Sequence, residues 1–238
     1  MAQPLVILGT GGSAYDVLDI VDAINRAVPA WHVAGFLDDM KLVGSTHLGL
    51  PVLGRIADAR TLPAGHRFVN VIGSDVSFRN RPQIIAQAGL DADRFATLVH
   101  PLASVSSHAT VGRGVYVACG ASIGGGVKIG DWASISPGVI VGHDTAIGKF
   151  ALLAPGAVIS GFCDVGSASY IGARAALRQR VRVGEKALVG MGSVVLHDVE
   201  PGTTVVGSPA RLLHGNPAAI ASRGRLADPV LATGEISR

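Results

Sequence analysis

From Val99 onward the chain keeps a six-residue beat. Stepping by six, the positions Val99, Val105, Val111, Val117, Ile123, Ile129, Ile135, Val141, Ile147, Leu153, Ile159, Val165, Ile171, Leu177, Val183, Val189 and Val195 are all Val, Ile or Leu. Four residues after each stands a smaller side chain, as at Ala103, Ala109, Ala121, Ala133, Thr145, Ala151, Ala157, Cys163, Ser169, Ala175, Ala187 and Ser193, with Val115, Val127, Val139 and Val181 filling gaps. A period of six fits neither a 3.6-residue helix nor a hairpin stack. It suits short strands joined by tight corners, each unit turning one large and one small side chain inward. Three units close a triangular coil, and coils stacked about 4.8 Å apart pair every backbone group with the coil above or below. Residues 99–195 therefore predict about five such coils, an all-β parallel β-helix. Glycine commonly follows the aliphatic, as at Gly112, Gly124, Gly130, Gly142 and Gly148, where it is expected to relieve positive-φ strain at the corner. Periodicity alone leaves the handedness open, and the usual crossover rule favours a right-handed winding.

Residues 1–98 follow a different pattern. Leu5–Gly9 is a buried strand, Ser13–Val28 an apolar-periodic helix, Trp31–Leu37 and Phe68–Gly73 further strands, and Arg81–Ala88 a second helix, which together predict a small α/β, Rossmann-like domain. Its first turn, Gly9-Thr10-Gly11-Gly12-Ser13, can bring bare amides to a phosphate at a helix N-terminus. It departs from the dinucleotide fingerprint in having Ala14 at the third glycine position, while Asp38 and Asp39 follow the second strand. Glycines that merely shape a tight turn are the plainer alternative. Arg79 and Arg81 could meet a pyrophosphate or cap the helix surface, with the surface the favoured place, and His108 and His197 are expected on the surface. Residues 214–238 lose the six-residue register and predict a loosely held tail.

Composition narrows the partners. Of 238 residues, 48% are hydrophobic, only 16% are charged and 32 are glycine, which excludes a disordered chain. The pI near 9.1 reflects a net charge of only +3, and no basic cluster is interleaved with aromatics, so no nucleic acid partner is expected. The chain enters its first strand without a leader or a long apolar stretch, which predicts a cytoplasmic protein with no membrane attachment. There Cys119 and Cys163 would remain thiols. The histidines lack metal-ligand spacing, so no metal is expected.

The motifs Gly9-Thr10-Gly11-Gly12, Phe36-Leu37-Asp38-Asp39, Ile72-Gly73, His100-Pro101, Gly142-His143-Asp144 and Gly207-Ser208-Pro209-Ala210-Arg211 occur in this order. In that order the chain closely resembles the bacterial hexapeptide-repeat sugar acyltransferases that modify bacillosamine, perosamine and sialic acid. The resemblance spans residues 3–213. It implies a left-handed β-helix, a homotrimer with active sites between neighbouring helices, acetyl-CoA as acyl donor along the helix, and a nucleotide sugar held by the N-terminal domain. By position, it makes His143 the general base and Asp144 its acidic partner. Gly161 would present a backbone amide near the thioester, and Ala173, Gly190, Met191 and Gly192 would line the donor channel. Gly9, Gly11, Gly12, Ser13, Asp38, Asp39 and Gly73 would receive the nucleotide sugar. The chain departs from several relatives in having Leu152 where they carry a second histidine, and Ser136 where they carry an asparagine.

The chemistry suits those residue types. Acyl transfer from a thioester needs a base for the attacking nucleophile, a positioned donor and hydrogen bonds for the developing oxyanion. Histidine serves the first need near neutral pH. His143 belongs to neither inward column and can face a cleft. Asp144, being adjacent in sequence, is expected to point away from it and to act through a neighbouring chain. Direct transfer is expected, because Cys163 lies in the inward column. Transfer to an amine or to a hydroxyl, a noncatalytic nucleotide-sugar-binding scaffold and a dehydrogenase remain distinct readings of the residues.

Overall fold

The computed structural model describes residues 2–214; the remainder of the expected tail lies outside the described residues. The N-terminal sheet has the order β3-β4-β2-β1-β5, with β1 Gln3–Leu8, β2 Trp31–Leu37, β3 Thr46–His47, β4 Leu50–Gly54 and β5 Arg67–Asn70. Strand β1 pairs in parallel with β2 and β5, and β4 with β2, while β3 turns back antiparallel on β4. Helix α1, Ser13–Ala27, buries Ala14, Val17 and Ile20 against Leu5 and Ile7 on one side of β1. Val6 and Leu8 face Ile56, Phe68 and Ile85, the last carried by helix α2, Arg81–Ala88. A run buried on both faces is what a central parallel strand requires.

The hexads form two-residue strands that pair in parallel with partners eighteen residues on, for example Ile123↔Val141, Ile129↔Ile147 and Ile135↔Leu153. Three flat faces result. One has six strands from Ser104–Val105 to Val194–Val195, one has five from Thr110–Val111 to Arg182–Val183, and one has eight, beginning at Leu98–Val99 and ending with Arg211–His214. The aliphatic column is buried from Val117 to Val195. Val99, Val105 and Val111 are only partly covered, because the first coil has no coil beneath it. The eight-stranded face carries Leu98, Tyr116 and Ala118 into the same cluster as α1. No helix among the described residues is long and apolar enough to cross a membrane.

The glycines that follow the aliphatics serve a purpose other than the expected one. None of Gly112, Gly124, Gly130, Gly142 and Gly148 has positive φ. A Cβ on Gly142 would lie 2.6 Å from the amide nitrogen of Gly161, and one on Gly148 2.5 Å from that of Ser167. The next coil passes too close for any side chain. The left-handed residue comes two positions later, and the three corners stack at eighteen-residue intervals. A covered corner runs through Gly114, Trp132, Phe150, Ala168 and Lys186, a glycine corner through Gly120, Gly138, Gly156, Arg174 and Gly192, and a third through Gly126, Asp144, Phe162 and Arg180. Each non-glycine residue held there costs about 1–2 kcal/mol, a cost the stacked ladder offsets.

Candidate active site

His143 and Asp144 occupy the third corner. Asp144 has φ 55, and this left-handed turn brings two consecutive side chains together, with His143 Nδ1 2.9 Å from Asp144 Oδ2. The expectation that the pair points apart is therefore corrected: it assumed strand geometry, and the residues sit in a turn. Asp144 can hold a proton on Nδ1, which leaves Nε2 as the free basic nitrogen. The ring lies over Gly161, where a Cβ would come within 2.8 Å of Nε2. The His143 carbonyl accepts the Phe162 amide at 3.0 Å, and the Phe162 ring meets the imidazole edge-on at 4.9 Å. Arg180 in turn caps the Phe162 ring at 4.7 Å. The side chains of both His143 and Asp144 are more than half exposed, at 58% and 54%, so the pair is open to a substrate. Among the described residues the Gly161 N–H donates to no protein group, leaving it available beside Nε2. Cys163, one position past Phe162, turns inward; burial pushes its thiol above the usual range, which unfits it as a nucleophile.

A second concavity of about 800 Å³ opens on the N-terminal sheet. Gly9, Gly11, Gly12, Ser13, Asp38, Asp39 and Gly73 all line it, so every residue assigned to the nucleotide sugar falls in one cleft. A Cβ at Gly11 or Gly12 would meet only open space, and both residues lie at the N-terminus of α1, where amides favour an anion. The two carboxylates shape the cleft. Asp38 accepts hydrogen bonds from Thr10 N and Oγ1, at 2.9 and 2.7 Å, and from Met40 N at 2.8 Å, which pins the glycine-rich loop. Asp39 accepts from Ile56 N at 2.9 Å and Gln87 Nε2 at 2.8 Å. The sequence reading missed Asn80, Gln83 and Gln87, which line the same cleft; their i, i+3, i+7 spacing on α2 and its cap was the available signal.

Ala173, Gly190, Met191 and Gly192 gather at the glycine corner, where Gly192 N donates to Ala173 O at 2.8 Å. They share that corner with one another and not with His143. Leu152 is buried, and a Cβ on Gly73 would lie 2.9 Å from its Cδ1. Phe162 and Arg180 were not anticipated, although each lies in the eighteen-residue register of Asp144.

A small α/β domain with an anion-ready cleft, set on a hexapeptide β-helix that presents a histidine–carboxylate pair, defines an acyltransferase of the β-helix class. The comparisons specify it further. Residues 4–83 match the PglD N-terminal domain, and residues 108–143 match the bacterial transferase hexapeptide, six repeats. The acetyltransferase domain of PglB from Neisseria gonorrhoeae, solved with acetyl coenzyme A, is 30% identical over 90% of this chain and 100% of its own, with a TM-score of 0.76. A histidine-to-asparagine mutant of perosamine N-acetyltransferase from Caulobacter crescentus, solved with CoA and GDP-perosamine, is 29% identical over 89% of this chain and 97% of its own, TM-score 0.77. WeeI from Acinetobacter baumannii is 25% identical over 88% and 99%, TM-score 0.75. No curated protein sequence matches the chain. The chain belongs to the bacterial hexapeptide-repeat sugar acyltransferases, and its β-helix is the left-handed one of that family.

Proposed function

We propose that this enzyme transfers the acetyl group of acetyl-CoA to the amino group of a nucleotide-linked amino sugar, with His143 as general base. The observation that carries the reading is the His143–Asp144 pair at 2.9 Å, set over the free amide of Gly161. His143 Nε2 accepts a proton from the sugar amine as the amine attacks the thioester carbonyl, and Asp144 stabilises the imidazolium that forms. The Gly161 N–H is placed to stabilise the developing oxyanion. When the carbon–sulfur bond breaks, the proton on Nε2 passes to the departing CoA thiolate, leaving an amide and a free thiol. Two similar proteins solved with acetyl coenzyme A, or with CoA and GDP-perosamine, support this substrate pair.

In this reading residues 1–98 hold the nucleotide through Gly9, Gly11, Gly12, Ser13, Asp38, Asp39 and Gly73, and residues 99–213 carry out the transfer. The cleft adjoins the covered corner, whereas His143 stands at another corner. One chain's sugar therefore meets a neighbour's base, which is the reason to propose a homotrimer. The six-stranded face between the glycine corner and the third corner turns Ile140 and Val158 outward, 46% and 36% exposed. This apolar strip suits the pantetheine arm, with Ala173, Gly190, Met191 and Gly192 at one side and Gly161 at the other. Its acyl donor and its free cysteines suit the cytoplasm.

The test is incubation with acetyl-CoA and a panel of UDP-, GDP- and dTDP-linked amino sugars, following thiol release and the product by mass spectrometry. Alkali-stable acetylation of one amino sugar is expected, with a trimer in sedimentation. No thiol release with any member, or alkali-labile ester as the product, overturns the amine assignment, and a fully active monomer overturns the shared site.

A further inference from the structure

Arg81 is the largest fully buried side chain of the described residues, 1% exposed, which corrects its expected place on the surface. No carboxylate pairs with it among the described residues. Its fork is met by neutral oxygens instead: Nε donates to Phe150 O at 3.0 Å, Nη1 to Ile72 O at 2.8 Å, and Nη2 to Trp132 O at 2.6 Å and Ser134 Oγ at 2.8 Å. Burial pulls its pKa down to about 10, still well above neutrality, so the charge is retained. Trp132 and Phe150 are left-handed residues of the covered corner, and the stacked coils leave their carbonyls without a backbone donor. Ile72 sits at the other end of the fork, on the wall of the nucleotide cleft beside Gly73. Gly73 has no room for a side chain there, because a Cβ would lie 2.8 Å from Arg81 Nη1.

The surrounding segment has the same double role. Ser74, Ser77, Asn80 and Gln83 line the cleft, while Phe78 packs on Tyr170 at 5.5 Å and Arg79 Nε donates to Lys186 O at 3.0 Å, one further carbonyl of the covered corner. Cleft-facing and helix-facing residues thus alternate along one short stretch.

From this geometry we infer that Arg81 is a positioning residue, locking the wall of the nucleotide cleft to the corners of the β-helix so that a bound sugar is held in register with the acyl-transfer site. The inference rests on the proposed substrate pair. A planar guanidinium reaches four oxygens in two elements at once; a lysine ammonium offers three donors from one point and cannot. A small shift of a reactant can cost about 100-fold in rate, so the register is read in turnover. It is not read in affinity, because the nucleotide is held within its own domain.

Arg81→Lys and Arg81→Met test this, with kcat normalised to folded protein and KM measured for each substrate. Arg81→Lys is expected to lower kcat about 10- to 100-fold while KM for acetyl-CoA stays within about 2-fold, the part of the site remote from the lock. A folded Arg81→Lys variant with unchanged kcat overturns the inference, since a merely structural arginine would lower the melting temperature alone. If neither variant folds, Arg79→Ala loosens the same corner from the surface; a smaller loss of kcat supports the register, and unchanged kcat overturns it. Amide hydrogen exchange across residues 71–74 supplies a readout independent of activity. Faster exchange in Arg81→Lys upholds the lock even where the wild type acetylates no amino sugar, a result that would defeat the functional reading alone; protection equal to wild type defeats the lock.

Discussion

Two corners of the same β-helix share one backbone and do opposite work. In both, the residue before the left-handed position stacks in a column eighteen residues apart. At the covered corner that column reads Arg113, Asp131, Lys149, Ser167 and Glu185; at the other it reads Gly125, His143, Gly161, Gln179 and His197. Asp131 finds its partner in the next coil, with Lys149 Nζ 3.0 Å away. His143 has glycine above and below, so no side chain of its own column can pair with it. Among the described residues, its only carboxylate partner is the next residue along, Asp144. The left-handed positions diverge in the same way. Trp132 and Phe150 stack face to face at 5.0 Å, with Phe95 against the edge of Trp132, and the N-terminal domain closes over them. Asp144 and Phe162 stay open. The repeat fixes where a side chain stands, and the residues above and below decide whether it becomes packing or chemistry.

The strongest way to break this comparison is to attack what both corners depend on. Ile135 is fully buried, paired between Val117 and Leu153 of adjacent coils. An unpaired carboxylate there is desolvated on every side and should cost several kcal/mol, spreading to neighbouring coils. Ile135→Asp is expected to abolish folding, whereas Lys128→Asp on the exposed five-stranded face is expected to melt like the wild type. Equal melting temperatures for the two would show that the six-residue register is wrong.

A crossed pair of substitutions then separates the corners. His143→Ala should lower kcat about 10²- to 10⁴-fold, the range for loss of a general base, without moving the melting temperature, because the ring is exposed. Trp132→Ala should do the reverse. It removes a stacked indole and should lower stability by about 3 kcal/mol, while kcat per folded enzyme falls far less than in His143→Ala. Activity assays and thermal melts of both variants check the crossing; if His143→Ala retains full activity, the corner holding it is no more chemical than the other.

How far these differences could be seen in advance depended on distance along the chain. The inward columns were legible because each position repeats every six residues, one column held to Val, Ile or Leu and the other to mostly small side chains. The glycine-rich loop and the acids after β2 were legible as motifs, and the cleft gathers them. What failed was local or non-periodic. That Asp144 turns toward His143 depends on a left-handed φ that aspartate adopts less readily than glycine, and nothing in the alternation of strand residues announces it. The glycines after the aliphatics were noticed, but their reason, the close passage of the next coil, is visible only across eighteen residues. The β3–β4 hairpin is too short to show a period. Arg81 looked like a surface residue because its four acceptors are oxygens of Ile72, Trp132, Ser134 and Phe150, three of them main-chain carbonyls, and carbonyls leave no mark on a sequence.

The finest contrast between the corners is electrostatic. Burial tends to raise the Asp131 carboxyl, but the Arg113 amide, donating at 3.0 Å, and the Lys149 ammonium outweigh it and hold the group below the ordinary carboxylate range. A carboxylate whose pKa is depressed on folding contributes stability above its unfolded value, and that contribution disappears as pH falls through the folded value. The Lys149 side chain is 58% exposed and Asp131's 26%, so solvent screens the pair and its worth is at most about 1 kcal/mol. Lys149→Met should therefore lower the melting temperature slightly at pH 7 in low salt. The gap from wild type should narrow as salt is added, and it should close in acid once Asp131 is protonated in both proteins. Kcat should not change, because the pair touches neither His143 nor the four oxygens that Arg81 holds. A gap that persists in acid or at high salt would mean that Lys149 acts through its contact with the Trp132 ring, 6.0 Å from the ammonium, and not through its charge on Asp131.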